Sequence, residues 1–134
     1  MTFMCLAYEE AEKLNELSAS DWQVLRQETL DYVAGLRASG HLIDARPLQR
    51  AETASTVRVR NGNRVIIDGP FAETKEQIGG FFLIEASSLD EAIEIAAKWP
   101  SARIGAIEVR PVDEELKAER RYAALPSSAD RDLR

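Results

Sequence analysis

Two strand-like runs, residues 2–8 (TFMCLAY) and 81–85 (FFLIE), carry apolar side chains on both faces. In the first, Phe3, Cys5 and Ala7 alternate with Met4, Leu6 and Tyr8. Strands of this kind belong in the middle of a sheet that is covered on two sides. The chain has little with which to cover it. Trp22, Leu25, Thr29, Val33 and Leu36 recur at three- and four-residue steps, a core-facing stripe on a helix of about five turns. Ser20 and Gln23 have capping-box spacing at its start, and Gly40 suits a left-handed end. Leu89, Ala92, Ala96 and Trp99, with Ile95 beside them, make a second and shorter stripe. It opens on the capping box Ser88–Glu91 and is stopped by Pro100.

The remaining strand signals lie at 41–45, 56–60, 64–68 and 106–112. Residues 56–60 and 64–68 flank Asn61-Gly62-Asn63, a hairpin signal. A three-residue loop would pair Val59 with Val65 and Val57 with Ile67. It leaves Arg58, Arg60, Arg64, Ile66 and Asp68 on the opposite side, the one-sided pattern of a half-buried hairpin. The order of elements predicts an α+β fold: a ferredoxin-like antiparallel sheet with two long helices on one face. Two helices leave the other sheet face bare, and the economical cover is a second copy of the chain. A homodimer through that sheet face follows as an expectation, with residues 1–112 as its domain. Residues 113–125 have helix-forming composition, and the last stretch to residue 134 is a small, polar tail.

Between the hairpin and the second apolar strand lies DGPFAETKEQIGG, residues 68–80. Asp68, Gly69 and Pro70 form a rigid turn into Phe71, with Asp68 suited to bonding nearby backbone N–H groups. Thr74 and Gln77 have a third capping spacing, which predicts one helical turn ended by Gly79. Glu73, Lys75 and Glu76 crowd that turn.

The chain's 17 basic and 23 acidic residues give a net charge of −6, which disfavours direct contact with nucleic acid. No apolar run reaches the ~18 residues of a membrane span, and the N-terminus lacks a basic signal-like start, so a cytoplasmic protein is expected. Cys5 is the single cysteine, which excludes an intrachain disulfide and reads as a core residue. One histidine and scattered carboxylates supply no metal spacing, and no glycine-rich phosphate loop is present. No cofactor is expected.

DGPFAETKEQIGGFFLIEASSLDEAIEIAAKWP followed by GAIEVRPV resembles the DGPF branch of the YCII-related proteins. TVRVRNG and MTFMCLAY fit that branch too, so the likeness runs from residue 1 to residue 112. The resemblance implies a ferredoxin-like subunit in a dimeric α/β barrel. It further implies a cytoplasmic bacterial protein of a type often encoded beside extracytoplasmic-function sigma factors. Some wider-family relatives eliminate a small group from muconolactone-type rings with a histidine–aspartate pair. This chain departs from that pair: its first helix has no histidine, and Trp99-Pro100 stands where those relatives have Asp-Pro. Its lone His41 follows that helix, as a strand-edge residue.

Arg58, Arg60, Glu108 and Arg110 occupy candidate inward-facing strand positions. They would pair as cross-strand ions, or grip a carboxylate or enolate-like oxygen by forked hydrogen bonds. An adjacent Arg58 or Arg110 would hold Asp68 ionised. Phe71, Lys75 and Glu73 would then form the rim of the site, with the arginines as its floor. Two functions survive. One is a dimer that binds a small carboxylate-like molecule or serves as an accessory protein. The other is a cofactor-free lyase or isomerase in which Asp68 or Glu73 moves a proton.

Overall fold

The computed structural model describes residues 1–116. The chain runs β1 (Thr2–Glu10), α1 (Ala11–Asn15), α2 (Ala19–Ala38), β2 (Leu42–Pro47), β3 (Ser55–Arg60), β4 (Asn63–Asp68), β5 (Glu76–Glu85), α3 (Leu89–Ala97) and β6 (Ala106–Pro111). Short 3₁₀ turns precede β3 and β6. Four strands form one antiparallel sheet in the order β2-β5-β1-β6. The two most apolar strands thus take its centre, and Pro47 ends an edge strand, where a missing N–H costs least.

One sheet face carries Phe3, Cys5, Phe82 and Ile84, all fully buried. Leu36 of α2 and Ala92 and Ile95 of α3 close over them, with Trp99 just past α3. Both long helices therefore share that face, as the stripes require. The alanines of α3 bring it close to the sheet, while Trp99 stacks on Phe82 with centroids 3.8 Å apart and planes 4° from parallel. Cys5 lies within this core, where burial pushes its thiol up to about 12.

The caps are partly displaced from their expected places. Helix α3 starts as expected: Ser88 accepts from the Glu91 amide at 3.2 Å, and Glu91 returns a bond to the Ser87 amide at 2.9 Å. Helix α2 starts earlier than its sequence suggests, because Ser18, not Ser20, caps it by accepting from the Asp21 amide at 3.0 Å. Trp22 and Leu89, both assigned to buried stripes, are exposed, since each lies in a first turn beyond the sheet.

The other face, by register, presents Met4, Leu6, Tyr8, Phe81, Leu83 and Ile78, and no helix among the described residues covers it. Of the helix expected at 113–125, residues 113–116 are not helical, Leu116 taking φ 50°; the rest lies outside the described residues.

Among the described residues the β3–β4 hairpin stands apart from the main sheet and pairs only with itself. Its loop is two residues long, not three: Val59 pairs with Arg64 and Val57 with Ile66. Asn61 (φ 53°) and Gly62 (φ 77°) both take the left-handed region, the type I′ turn that matches strand twist and that Asn-Gly favours. Apolar and charged side chains therefore share both faces, and the one-sided pattern expected of a half-buried hairpin is absent.

Candidate functional site

Residues 69–75 form a pinned loop. At one end the Gly69 amide donates to the Ala54 carbonyl at 2.7 Å, and the Thr56 hydroxyl donates to the Gly69 carbonyl at 2.9 Å. At the other, the Gln77 amide donates to the carbonyls of Ala72 at 2.6 Å and Thr74 at 3.0 Å. The expected helical turn is not formed. Gln77 has the right spacing for a cap but sits in β5, because the end of β1 needs a pairing partner there.

That pairing contains the geometry that builds the site. Ala7 faces Gly80 while Tyr8 faces Ile78, so Gly79 is an extra residue in β5. Such a bulge re-aims the side chains beyond it. The Glu9 side chain lies in the space opened at Gly79: a Cβ there would sit 2.1 Å from its carboxyl carbon. Only glycine leaves that space free.

Glu9 lines a cleft of about 560 Å³ together with Arg50, Glu52, Glu73, Lys75 and Gln77. Burial raises the Glu9 carboxyl above the ordinary glutamate range, because low polarity disfavours the charged form. Next to it, Glu10 is buried and bound by Lys75 at 3.0 Å and Lys13 at 3.5 Å. Lys75 is the main cause of its lowered pKa. Adjacent in sequence but on opposite faces of β1, the two carboxyls are thus driven in opposite directions.

A pH consequence follows. A carboxyl whose pKa is raised by folding binds its proton more tightly in the folded state. It therefore weakens stability as pH rises from the ordinary glutamate value through the raised one. Glu9→Gln is expected to melt higher relative to the unmodified chain at pH 7 than at pH 4. Glu10 contributes with the opposite sign, losing its stabilisation as pH falls, so the difference between the two proteins is the quantity to follow. A difference independent of pH would mean that the carboxyl is not desolvated.

The candidates read from sequence fall into three places. Glu73 and Lys75 line the Glu9 cleft. Arg58, Arg60 and Asp68 lie on the hairpin, where the Arg58 guanidinium sits 5.1 Å above the centre of the Phe71 ring. Glu108 and Arg110 pair with each other on β6, and Tyr8 donates to Glu108 at 3.0 Å. Among the described residues Asp68 is paired with neither Arg58 nor Arg110. The single arginine floor expected under the rim is not assembled within one chain, because the hairpin leaves the main sheet. His41 closes a sheet edge, its ring 2.8 Å from the Glu85 carbonyl. Glu9 and Arg50 were not among the candidates. A carboxylate ending an apolar strand, with paired glycines downstream, was the available signal. Among the described residues no cluster of three His, Cys, Asp or Glu groups could hold a metal, and no helix is long and apolar enough to cross a membrane.

The family model for the YCII-related domain matches residues 1–116. The chain belongs to the YCII-related domain family. An uncharacterized protein of Rhizobium meliloti (strain 1021) is 49% identical over 61 residues, 44% of this chain. The match spans about half of that relative's length, 49%. Among solved structures, the fold resembles 5-chloro-2-hydroxyhydroquinone dehydrochlorinase (TftG) from Burkholderia phenoliruptrix AC1100, in complex with 2,5-dihydroxybenzoquinone. The TM-score is 0.51, with 84% of this chain and 93% of that chain covered. At 18% identity this likeness concerns the fold alone.

Proposed function

We propose that this YCII-related protein is a homodimer that binds a small carboxylate-like or enol-bearing molecule in the Glu9 cleft. The observation that carries the reading is the Glu9 carboxyl itself, half-buried over Gly79 and without an ion-pair partner among the described residues. A carboxyl whose proton is more firmly held than usual can donate a hydrogen bond to a ligand oxygen. Arg50 and Lys75 supply positive charge to an anionic group, with Glu73 at the rim. The sheet face that the described residues leave uncovered, apolar at its centre, supports association with a second copy. Asp68, Phe71, Arg58 and Arg60 on one side, and Glu108 and Arg110 on the other, would join the ligand's surroundings only across two copies.

The raised Glu9 pKa also favours a second reading, a cofactor-free lyase or isomerase in which Glu9 shuttles a proton. The fold it shares with a dehydrochlorinase is compatible with such chemistry. One experiment separates the two. Lactones, dienoic acids, small carboxylates and dihydroxybenzoquinone are screened by thermal shift and for turnover, with Glu9→Gln and Arg50→Ala alongside. Binding that weakens with Arg50→Ala but is unaccompanied by turnover supports the binding protein. Turnover falling ~10²- to 10⁴-fold in Glu9→Gln with affinity retained supports the enzyme. A ligand bound equally by both variants and the unmodified chain would place the site elsewhere.

A further inference from the structure

The loop between β4 and β5 holds a large aromatic in water and keeps it in place. Phe71 is 75% exposed, yet its loop is tied to Ala54 and Thr56 at one end and by Gln77 at the other. The Arg58 guanidinium over its ring fixes it further. A ring already held in position loses little freedom when a ligand covers it.

Phe71 forms one wall of a second cavity, of about 780 Å³, with Tyr8, Leu48, Val57 and Ile78. Arg58, next to Val57 and on the other side of the strand, is not part of that wall. The cavity is continuous with the Glu9 cleft: Arg50, Ala51, Pro70, Thr74, Gln77 and Ile78 line both. The sheet itself makes the passage. Strand β2 ends at Pro47, opposite Gly80, and the Leu48 amide closes on the Gly79 carbonyl at 2.8 Å. Among the described residues, 76–78 of β5 therefore have a strand, β1, on one side only. The two cavities meet round that free edge, one on the Glu9 side of β1 and the other on the Tyr8 side.

Their chemistry differs. Glu9, Glu73 and Lys75 make the first polar, while aromatic and aliphatic groups dominate the second. Arg50 stands at the junction, paired with Glu52 at 3.1 Å with both side chains exposed. Such a pair is weak, so a ligand anion can take the guanidinium at little cost. Each cavity alone has the size of a site for a drug-sized molecule.

We propose that the two cavities form one site for an aryl-bearing acid, its oxygen-rich head at Glu9 and Arg50 and its flat apolar tail against Phe71 and Val57. This rests on the Glu9 reading above and specifies the class of ligand. The small molecule of that reading stays clear of Phe71 within one chain, whereas a longer one reaches it past Arg50.

Two probes with one head test it. Sorbate and cinnamylideneacetate are both dienoates, ending in a methyl group and a phenyl ring respectively. Their dissociation constants are measured by titration calorimetry for the unmodified chain, Phe71→Ala, Val57→Ser and Arg50→Ala. Phe71 and Val57 are exposed, so neither substitution removes core packing. Cinnamylideneacetate is expected to bind about tenfold tighter than sorbate, the worth of burying one ring. Phe71→Ala and Val57→Ser are expected to bring that ratio down severalfold, and Arg50→Ala to weaken both probes while preserving it. Equal binding of the two probes by the unmodified chain would overturn the tail site and spare the Glu9 cleft. A ratio untouched by Phe71→Ala and Val57→Ser would place the tail elsewhere and overturn it as well. A cyclohexyl analogue that bound as tightly as the phenyl compound would overturn the preference for a flat ring. If neither probe bound, the Glu9 reading would fall, and this proposal with it.

Discussion

Replacing Phe82 by alanine is expected to cost about 3–5 kcal/mol, because a large aromatic is removed from a site that cannot collapse. Phe82 is fully buried at the centre of the sheet and stacks flat on Trp99. Trp99 in turn meets the Tyr32 ring edge-on at 5.8 Å, and the Tyr32 hydroxyl donates to the Ile95 carbonyl at 2.7 Å. One ring therefore joins the sheet to both long helices. The loss compares with the ~5–15 kcal/mol that hold a typical domain, so the variant is expected to unfold at much lower urea. Phe82→Leu keeps most of the volume and is expected to cost clearly less. If the two variants shared one denaturation midpoint, the aromatic stack would not be the junction described.

Gly105→Ala is expected to be similarly disruptive for its size. A Cβ at Gly105 would lie 2.2 Å from the Tyr8 carbonyl oxygen and 3.4 Å from that of Ser101. These are backbone atoms, unable to rotate away, and such overpacking costs about 1–3 kcal/mol or more. Tyr8 precedes Glu9, so the displaced backbone moves the cleft carboxyl as well. Gly79→Ala supplies the contrast. Its Cβ meets only the end of the Glu9 side chain, which can swing aside. That variant is expected to keep its denaturation midpoint and lose affinity for any ligand that Glu9 engages. Loss of stability in Gly79→Ala and its retention in Gly105→Ala would reverse the assignment of backbone and side-chain contacts.

Much of the fold was legible because its signals are redundant. Alternation in residues 2–8 and 81–85 identified the central strands, and helix stripes ending at Leu36 and Trp99 identified the buried face. The errors arose where two local rules competed. Ser18 and Ser20 are both competent caps, and the choice depends on where the chain leaves α1. Asn61-Gly62 prefers a two-residue turn, but an assumption of half-burial favoured the longer loop. The β3–β4 hairpin is buried on neither side among the described residues, so its pattern was not constrained by a core. Gln77 fits a helical cap in isolation, yet β1 draws its backbone into the sheet. Family membership was legible from the 68–80 stretch and the strands around it. The cleft was not, because it depends on one unpaired residue, and a Gly-Gly pair does not declare which member pairs.

That single unpaired residue also reverses the parity of β5. From Gly80 onward, even-numbered residues point at the helices; before Gly79, odd-numbered ones do, so Gln77 shares the side of Glu9 and Ile78 that of Tyr8. A strand with uniform numbering would exchange the faces on which Gln77 and Ile78 lie. Shortening β5 by one residue at this point would therefore alter two surfaces at once, the one that meets a ligand and the one left for a partner. The spacing of the two glycines from Glu76 sets both together.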